Sequence, residues 1–576
     1  MADLAELIIY ESEASVIKEL VRGYDLNEWD CYGLRPLIQA VICRKVKILA
    51  KLVKHGANIE QGDFLNRTAL YWAADRNAFE MCYFLLKKGA DPNHYSAEGQ
   101  PILVNPILRE QRELVELFLE FGVNYEFAQD FISAKLIGHR FELLGEADIV
   151  NSKGEFIPVS FEGFYLEFTS GLIQRSLYNF VNSIPGQQYS DIFKQLDEIR
   201  ATLKKAAELS DYAKHKNKTP FLNAIENLLQ SPLLLIPVGH KGHAITFIRY
   251  KNLFAKCDRG VRVNVDTVTI YQMQNANALN LDLFKKLLFE AKTDDFLHKE
   301  LADILQLKYI TSLSTNHQIT GNCSWANMEA SIPTMLLMLK LDVDNQNFST
   351  IGDMRQEVEK FYRSWVEWDK ETALDEAIED FTATNSESRQ LSKALILGSI
   401  LVQRCDPKFS LDISFAKKIL GILTLPNYRF ILQNYIRVFI LQNKNKFKDK
   451  LKRLLLKCEL DLKTLTLKND STYYKANVHS ENLVRMTTAL HVAALNNNLA
   501  AMKVLIENHA IDVDYLDRTG STPLMYAAFK GNLEAVKYLL KKGANPAIKN
   551  LKGGTARRYA AYTKHFKVEQ LFAKYQ

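Results

Sequence analysis

The stretch TALYWAADRNAFEMCYFLLKKGADPN, residues 68–93, decides the architecture. It reads as a short helix with the small residues Ala73 and Ala74, packed against a longer helix that Gly89 ends. Glycine suits that place because the chain leaves the helix in a left-handed conformation that other residues adopt poorly. The next segment then turns out as a hairpin. Gly23, Gly56, Gly89 and Gly122 recur at a step of 33, behind apolar runs such as LAKLVKHGANI (49–59) and LVELFLEFGVNYE (114–126). Leu37, Leu70 and Leu103 keep the same step. One such unit cannot bury its own apolar face, so the units must stack.

The pattern returns at the other end. TTALHVAALNNNLAAMKVLIENHAIDVD starts at Thr487, STPLMYAAFKGNLEAVKYLLKKGANP at Ser521 and GGTARRYAAYTKHFKVEQLFAKY at Gly553. Thr488, Thr522 and Thr555 are 34 and 33 residues apart. A TPLH-like start with a GA(D/N) end resembles the ankyrin repeat family. The resemblance implies about four units over 1–126, the first a degenerate cap, and about three over 485–576. Such stacks present hairpins and first helices to a protein partner. Tyr71, Trp72, Phe79 and Tyr95 are the candidate binding anchors, since aromatics dominate protein interfaces. For Trp72 the alternative is that it fills the core between repeats.

Composition excludes several classes. Of 576 residues 47% are apolar and 24% charged, the balance of an ordinary globular chain rather than a disordered one. The net charge of +6 comes without a dense basic block, so direct nucleic-acid binding is not expected. No apolar run approaches the roughly 20 residues that span a bilayer, and the acidic start MADLAELIIYESEAS lacks the order of a secretory signal. Seven cysteines, at 31, 43, 82, 257, 323, 405 and 458, form no CxxC pair, which points to free thiols in a reducing compartment. No metal or nucleotide signature is visible, so no metal or cofactor is expected.

Between the repeats the character changes. EFIPVSFEGFYLEF (155–168) reads as β structure, 189–208 and 219–230 as helices, and SPLLLIPVGHKGHAITFIRYKNLFAKCDRGVRVNVDTVTIYQMQ (231–274) as about four strands. Helices follow at 281–305. Residues 127–345 are therefore expected to form a mixed α/β domain, 346–484 a helical bridge, and the whole an α+β chain. The basic amphipathic run NKNKFKDKLKRLLLK (443–457) reads as a solvated helix face, with membrane-surface contact as the alternative.

Three positions in the middle carry chemistry. His243 opens the strand HAITFIRY, Asp258 ends the strand LFAKCD, and Cys323 sits where the loop ITGN meets an apolar helix. If Lys251-Asn252 is a two-residue turn, Tyr250 pairs with Leu253 and Ile245 faces Asp258. His243 and Asp258 are then diagonal neighbours on one face, so the carboxylate can hold the imidazole. A one-residue slip would separate them. A thiol at a helix N-terminus feels the positive end of the helix dipole. Gln318 and the backbone N–H of Cys323 can form an oxyanion hole. His240 is the alternative base, Asp266 the alternative acid, and Trp325 reads as core. The other six cysteines read as packing.

His, an acid in the next strand, then Q-x4-C at a helix start is similar to the adenovirus-protease-like cysteine peptidases, the group of the SUMO and ubiquitin-like proteases and the Yop-type acetyltransferases. GNCSWA also echoes papain, whose order Cys, His, Asn differs: the first histidine after Cys323 is His479. Ala244 stands where the SUMO proteases usually have Trp, and Asn322-Cys323-Ser324 where they have Asp-Cys-Gly. Ankyrin units flanking such a core resemble the translocated ankyrin-repeat effectors of the Legionella type. That resemblance implies delivery into the cytoplasm or nucleus of a host cell, binding of host protein through the repeats, and a Cys–His–Asp thiol centre cutting a peptide or isopeptide bond, with a ubiquitin-like substrate conceivable. The competing readings are a non-catalytic adaptor with a pseudo-protease domain, and an acyltransferase of the Yop type.

Overall fold

In a computed structural model the described residues are 4–341, apart from 21–22, 29–33, 64, 144, 162, 164–165, 215–220, 241–242, 261–265 and 316–322; 351–436; 448–465, apart from 463–464; and 488–572, apart from 496, 498, 504–505, 508–511, 517–519, 551–553 and 564.

Four helix pairs open the chain: α1 (Leu4–Tyr10) with α2 (Glu13–Glu19), α3 (Pro36–Ile42) with α4 (Val46–Lys54), α5 (Ala69–Asp75) with α6 (Phe79–Lys87), and α7 (Val104–Leu108) with α8 (Arg112–Glu120). Gly23, Gly56, Gly89 and Gly122 follow the second helices at φ of 86°, 94°, 90° and 79°, the left-handed exit expected of them. The threonine that starts a unit is a cap: Thr68 accepts a hydrogen bond from the Tyr71 N–H at 3.2 Å. Polar rungs tie one unit to the next. The Asn58 N–H donates to Asn27 at 2.9 Å and the Asn124 N–H to Asn93 at 2.7 Å.

The C-terminal units follow the same rules. Their helices are Thr488–Leu495 and Leu499–Lys503, Pro523–Phe529 and Leu533–Lys541, and Ala556–Tyr562 and Phe566–Phe572. Thr522 and Thr555 cap, Gly543 has φ 93°, and the Asn545 N–H donates to Asp514 at 2.9 Å. These units share a buried cluster of their own.

Helix α9 (Tyr125–Arg140) continues from the fourth pair into the hairpin β1 (Glu146–Val150) and β2 (Phe156–Ser160). The expected β stretch 155–168 is thus only half strand, because helix α10 (Leu166–Val181) has begun by its end. The hairpin stands apart from the main sheet, with the Val150 N–H donating to Ser392 at 2.7 Å.

Helices α10, α11 (Ile184–Gln187), α12 (Phe193–Lys214) and α13 (Leu222–Leu229) precede a five-stranded antiparallel meander. Its strands are β3 (Leu233–His240), β4 (His243–Tyr250), β5 (Leu253–Cys257), β6 (Val268–Met273) and β7 (Leu307–Leu313). The first four are the strands expected from sequence. Between β6 and β7 lie α14 (Leu281–Phe289), a π-helical turn (Phe296–Glu300) and α15 (Leu301–Leu305). Helix α16 (Cys323–Lys340) follows β7 and runs on through Pro333.

Alternation along the strands divides the sheet into two buried faces. Ile245, Phe247 and Phe254 pack with Phe284 and Leu287 of α14 and Leu301 of α15. Ile248, Leu253, Ala255 and Cys257 pack with Trp325, Met328 and Ile332 of α16. Then come α17 (Ile351–Ala383), α18 (Glu387–Gln403), α19 (Ser410–Leu423), α20 (Arg429–Ile436) and α21 (Lys448–Lys457). Val358, Phe361 and Trp365 of α17 belong to the α16 core. Leu374 and Phe381, further along the same helix, belong to the core of the N-terminal repeats together with α18 to α20.

Candidate functional site: a thiol at the mouth of the sheet

Tyr250 pairs with Leu253, so Lys251-Asn252 is the two-residue turn on which the site geometry depends. Lys251 takes φ 50°, as the first residue of such a turn requires. The ladder runs from there to Thr246 opposite Cys257 and stops. His243 is the first residue of β4, and Asp258 lies one residue beyond the end of β5. His240 and His243 are backbone partners across the β3–β4 turn.

Cys323 is the first residue of α16 and is 7% exposed. Its Sγ accepts a hydrogen bond from the Ala244 N–H at 3.2 Å. The main chain next to His243 therefore abuts the sulfur. The His243 imidazole and all of Gln318 lie outside the described residues.

Asp258 is buried. Its Oδ1 accepts from the Gly260 N–H at 3.2 Å, and its Oδ2 lies 3.5 Å from His298 Nε2. His298 sits in the π-helical turn before α15, with its Nδ1 3.2 Å from Lys256 Nζ. An ammonium only donates, so Nδ1 accepts there and Nε2 is left to face the carboxylate. The sequence reading missed His298. Its signal is faint: a histidine four residues after Asp294, within a stretch that reads as ordinary helix. Asp266, the alternative acid, is exposed.

The residues beside Asp258 and Cys323 form a buried polar cluster. Arg259 donates to Glu142 at 2.7 Å and to Glu329 at 3.3 Å. Tyr362 and Trp325 both donate to Glu329, at 2.6 and 3.1 Å. Burial would push the Glu142 carboxyl up, but Arg259 and Arg404 hold it below its ordinary value. Burial raises Glu329 against the pull of Arg259. His139, at the end of α9, stacks on Trp325, and burial, aided by Lys135, pushes it down to about 3. Trp325 is 2% exposed, as a core residue should be.

Burial pushes Cys82, Cys257 and Cys405 up to about 12, which suits packing rather than chemistry. Among the described residues no group of His, Cys, Asp and Glu converges on a metal position.

The four candidate anchors are placed differently. Tyr71 is 6% exposed and belongs to the repeat core. Trp72 is half-buried: its Nε1 donates to Asp63 at 3.1 Å and the Arg67 guanidinium lies 4.3 Å from the ring centre. Tyr95 is half-buried against Phe127, and Phe79 is exposed at the start of α6.

Known proteins agree with this architecture. The family described as ankyrin repeats matches residues 6–96 and 441–550, in three copies. The probable E3 ubiquitin-protein ligase XBOS31 of Oryza sativa subsp. japonica is 43% identical over 14% of this chain and 18% of its own length. The transient receptor potential cation channel subfamily A member 1 of Homo sapiens is 38% identical over 14% of this chain and 7% of its own. The chain thus spans less than a fifth of these curated relatives. Ankyrin repeats suggest binding of other proteins, and no helix among the described residues is long and apolar enough to cross a membrane. The solved structure of the Legionella effector AnkH is 36% identical, with 80% of this chain and 98% of that one covered and a TM-score of 0.65. The chain belongs to the family of the Legionella effector AnkH.

Proposed function

We propose that this protein is a translocated effector that grips a host protein with its ankyrin units and acts on it through a thiol centre. Cys323 attacks a carbonyl carbon, His243 takes and returns the proton, Asp258 orients His243, and Gln318 with the Cys323 N–H supports the oxyanion. The sulfur forms a thioester as the peptide or isopeptide bond breaks. The leaving amine takes the proton, and water then releases the acid. Trp72, Tyr95 and Phe79 contribute to the grip on the partner, which acts in the cytoplasm or nucleus of the host cell.

One observation carries this reading: Cys323 begins a helix with a backbone N–H from the residue after His243 aimed at its sulfur. Both the helix terminus and that N–H interact more favourably with a thiolate than with a thiol. A second reading, an adaptor whose protease-like centre only contributes surface, draws on the 7% exposure of Cys323. Electrophilic ubiquitin and SUMO probes separate the two. The thiol-enzyme reading expects a covalent adduct on Cys323 that is lost in Cys323→Ala and in His243→Ala. No adduct, together with unchanged host partners in Cys323→Ala, supports the adaptor. Transfer of label from acetyl-CoA would report acyl transfer instead.

A further inference from the structure

The two-residue turn makes Tyr250 and Leu253 a hydrogen-bonded pair, and such pairs recur at every second residue. After Thr246 opposite Cys257, the next would be Ala244 opposite Arg259. It does not form. The Arg259 N–H donates instead to Asn327 Oδ1 at 2.6 Å, and Asn327 Nδ2 donates to the Ala244 carbonyl at 2.5 Å. The Ala244 N–H donates to Cys323 Sγ at 3.2 Å. Three of the four groups of the missing rung thus end on α16. The amide bridges the opened strands, and the sulfur stands where a carbonyl oxygen would be. Asn327 is fully buried and lies four residues from Cys323, on the same side of the helix.

We propose that Asn327 is a positioning residue of the thiol centre: it substitutes for the absent rung and so keeps the Ala244 N–H aimed at Cys323 Sγ. The inference rests on the thiol-enzyme reading and adds a residue to it. The amide suits the place because the site needs an acceptor for the Arg259 N–H and a donor for the Ala244 carbonyl at once, and its Oδ1 and Nδ2 supply one each. A carboxylate would repel the Ala244 carbonyl, and an alkyl group would satisfy neither.

The test uses the full chain, Asn327→Asp and the similarly sized Asn327→Leu. Iodoacetamide is the probe, and the modification of Cys323 is followed by mass spectrometry across the thiol titration. Cys43, in the N-terminal repeats, serves as the internal standard. The expected result is a midpoint for Cys323 raised by about one unit, hence labelling at neutral pH about tenfold slower, with Cys43 unchanged. A folded variant whose Cys323 midpoint stays put overturns the proposal, since a packing residue alone would lower only the melting temperature. If neither variant folds, hydrogen exchange of the wild type decides: slow exchange of the Ala244 and Arg259 amides supports the bridge and fast exchange overturns it. The contrast between proteins tests Asn327. The wild-type midpoint and the probe adducts separately test the thiol-enzyme reading.

Discussion

The imidazole of His139 lies parallel to the indole of Trp325, with ring centres 6.2 Å apart and planes 8° from parallel. The helix that leaves the N-terminal repeats thereby touches the first turn of the helix that begins with Cys323. Neither aromatic ring is at the surface.

This stack makes stability depend on pH. With its pKa lowered from 6.5 to about 3 by burial and then by Lys135, His139 stays neutral in the folded protein where the unfolded chain binds a proton. The unfolded state then holds more protons, so stability falls as pH drops from the ordinary histidine value towards the folded one. The loss over that window is up to roughly 5 kcal/mol. Urea titrations at stepped pH should show this slope in the wild type and a shallower one in His139→Phe, which keeps the aromatic contact. Equal slopes would remove His139 as the cause.

Glu142 is held by two guanidiniums, Arg259 at 2.7 Å and Arg404 at 3.3 Å. Glu142→Gln keeps the shape and removes the charge, so Arg259 loses the nearer of its two carboxylate partners, Glu142 and Glu329. The cost should be about 3 kcal/mol in the free energy of unfolding. A change under about 1 kcal/mol, the range of surface pairs, would mean the pair is solvated.

Gly89 leaves its helix at φ 90°, and a Cβ added there would meet nothing within 4 Å. Gly89→Ala should therefore cost only the conformational strain, about 1–2 kcal/mol, with no change in the circular dichroism of the folded state. Thermal melts would check it, and an unchanged midpoint would mean that the exit relaxes to another conformation.

Asp258→Asn should slow probe labelling of Cys323 about 100-fold or more, if its carboxylate orients the catalytic imidazole. The pH-rate profile should flatten as well. Labelling at the wild-type rate would mean that the carboxylate plays no part in the reactivity of Cys323.

The repeats are legible in the sequence because their reasons are local. A glycine at the same step, a capping threonine and a small pair each act within a few residues, and each unit repeats the message. The β4–β5 register is legible for the same reason, since the Lys251-Asn252 turn sets it. What escapes depends on contacts far along the chain. β1 meets α18 across more than two hundred residues, through Val150 and Ser392. Leu166 onward reads like strand because its aromatic neighbours suit either state, and only packing against α12 and α16 settles it. His298 and Asn327 sit in plain helical text. Their importance comes from Asp258, Ala244 and Arg259, which the fold brings to them.

Helix α17 has 33 residues, about 50 Å of continuous rise. Its first half is anchored beneath the thiol helix and its second half among the helices that back the repeats. A proline near Asp369, which pairs with Arg140 and Ser176, would not damage one half and spare the other. The N-terminal repeats and the domain that holds Cys323 share a single girder, so heat or denaturant should dismantle those two in one transition, and neither of them can be shed while the other keeps its shape.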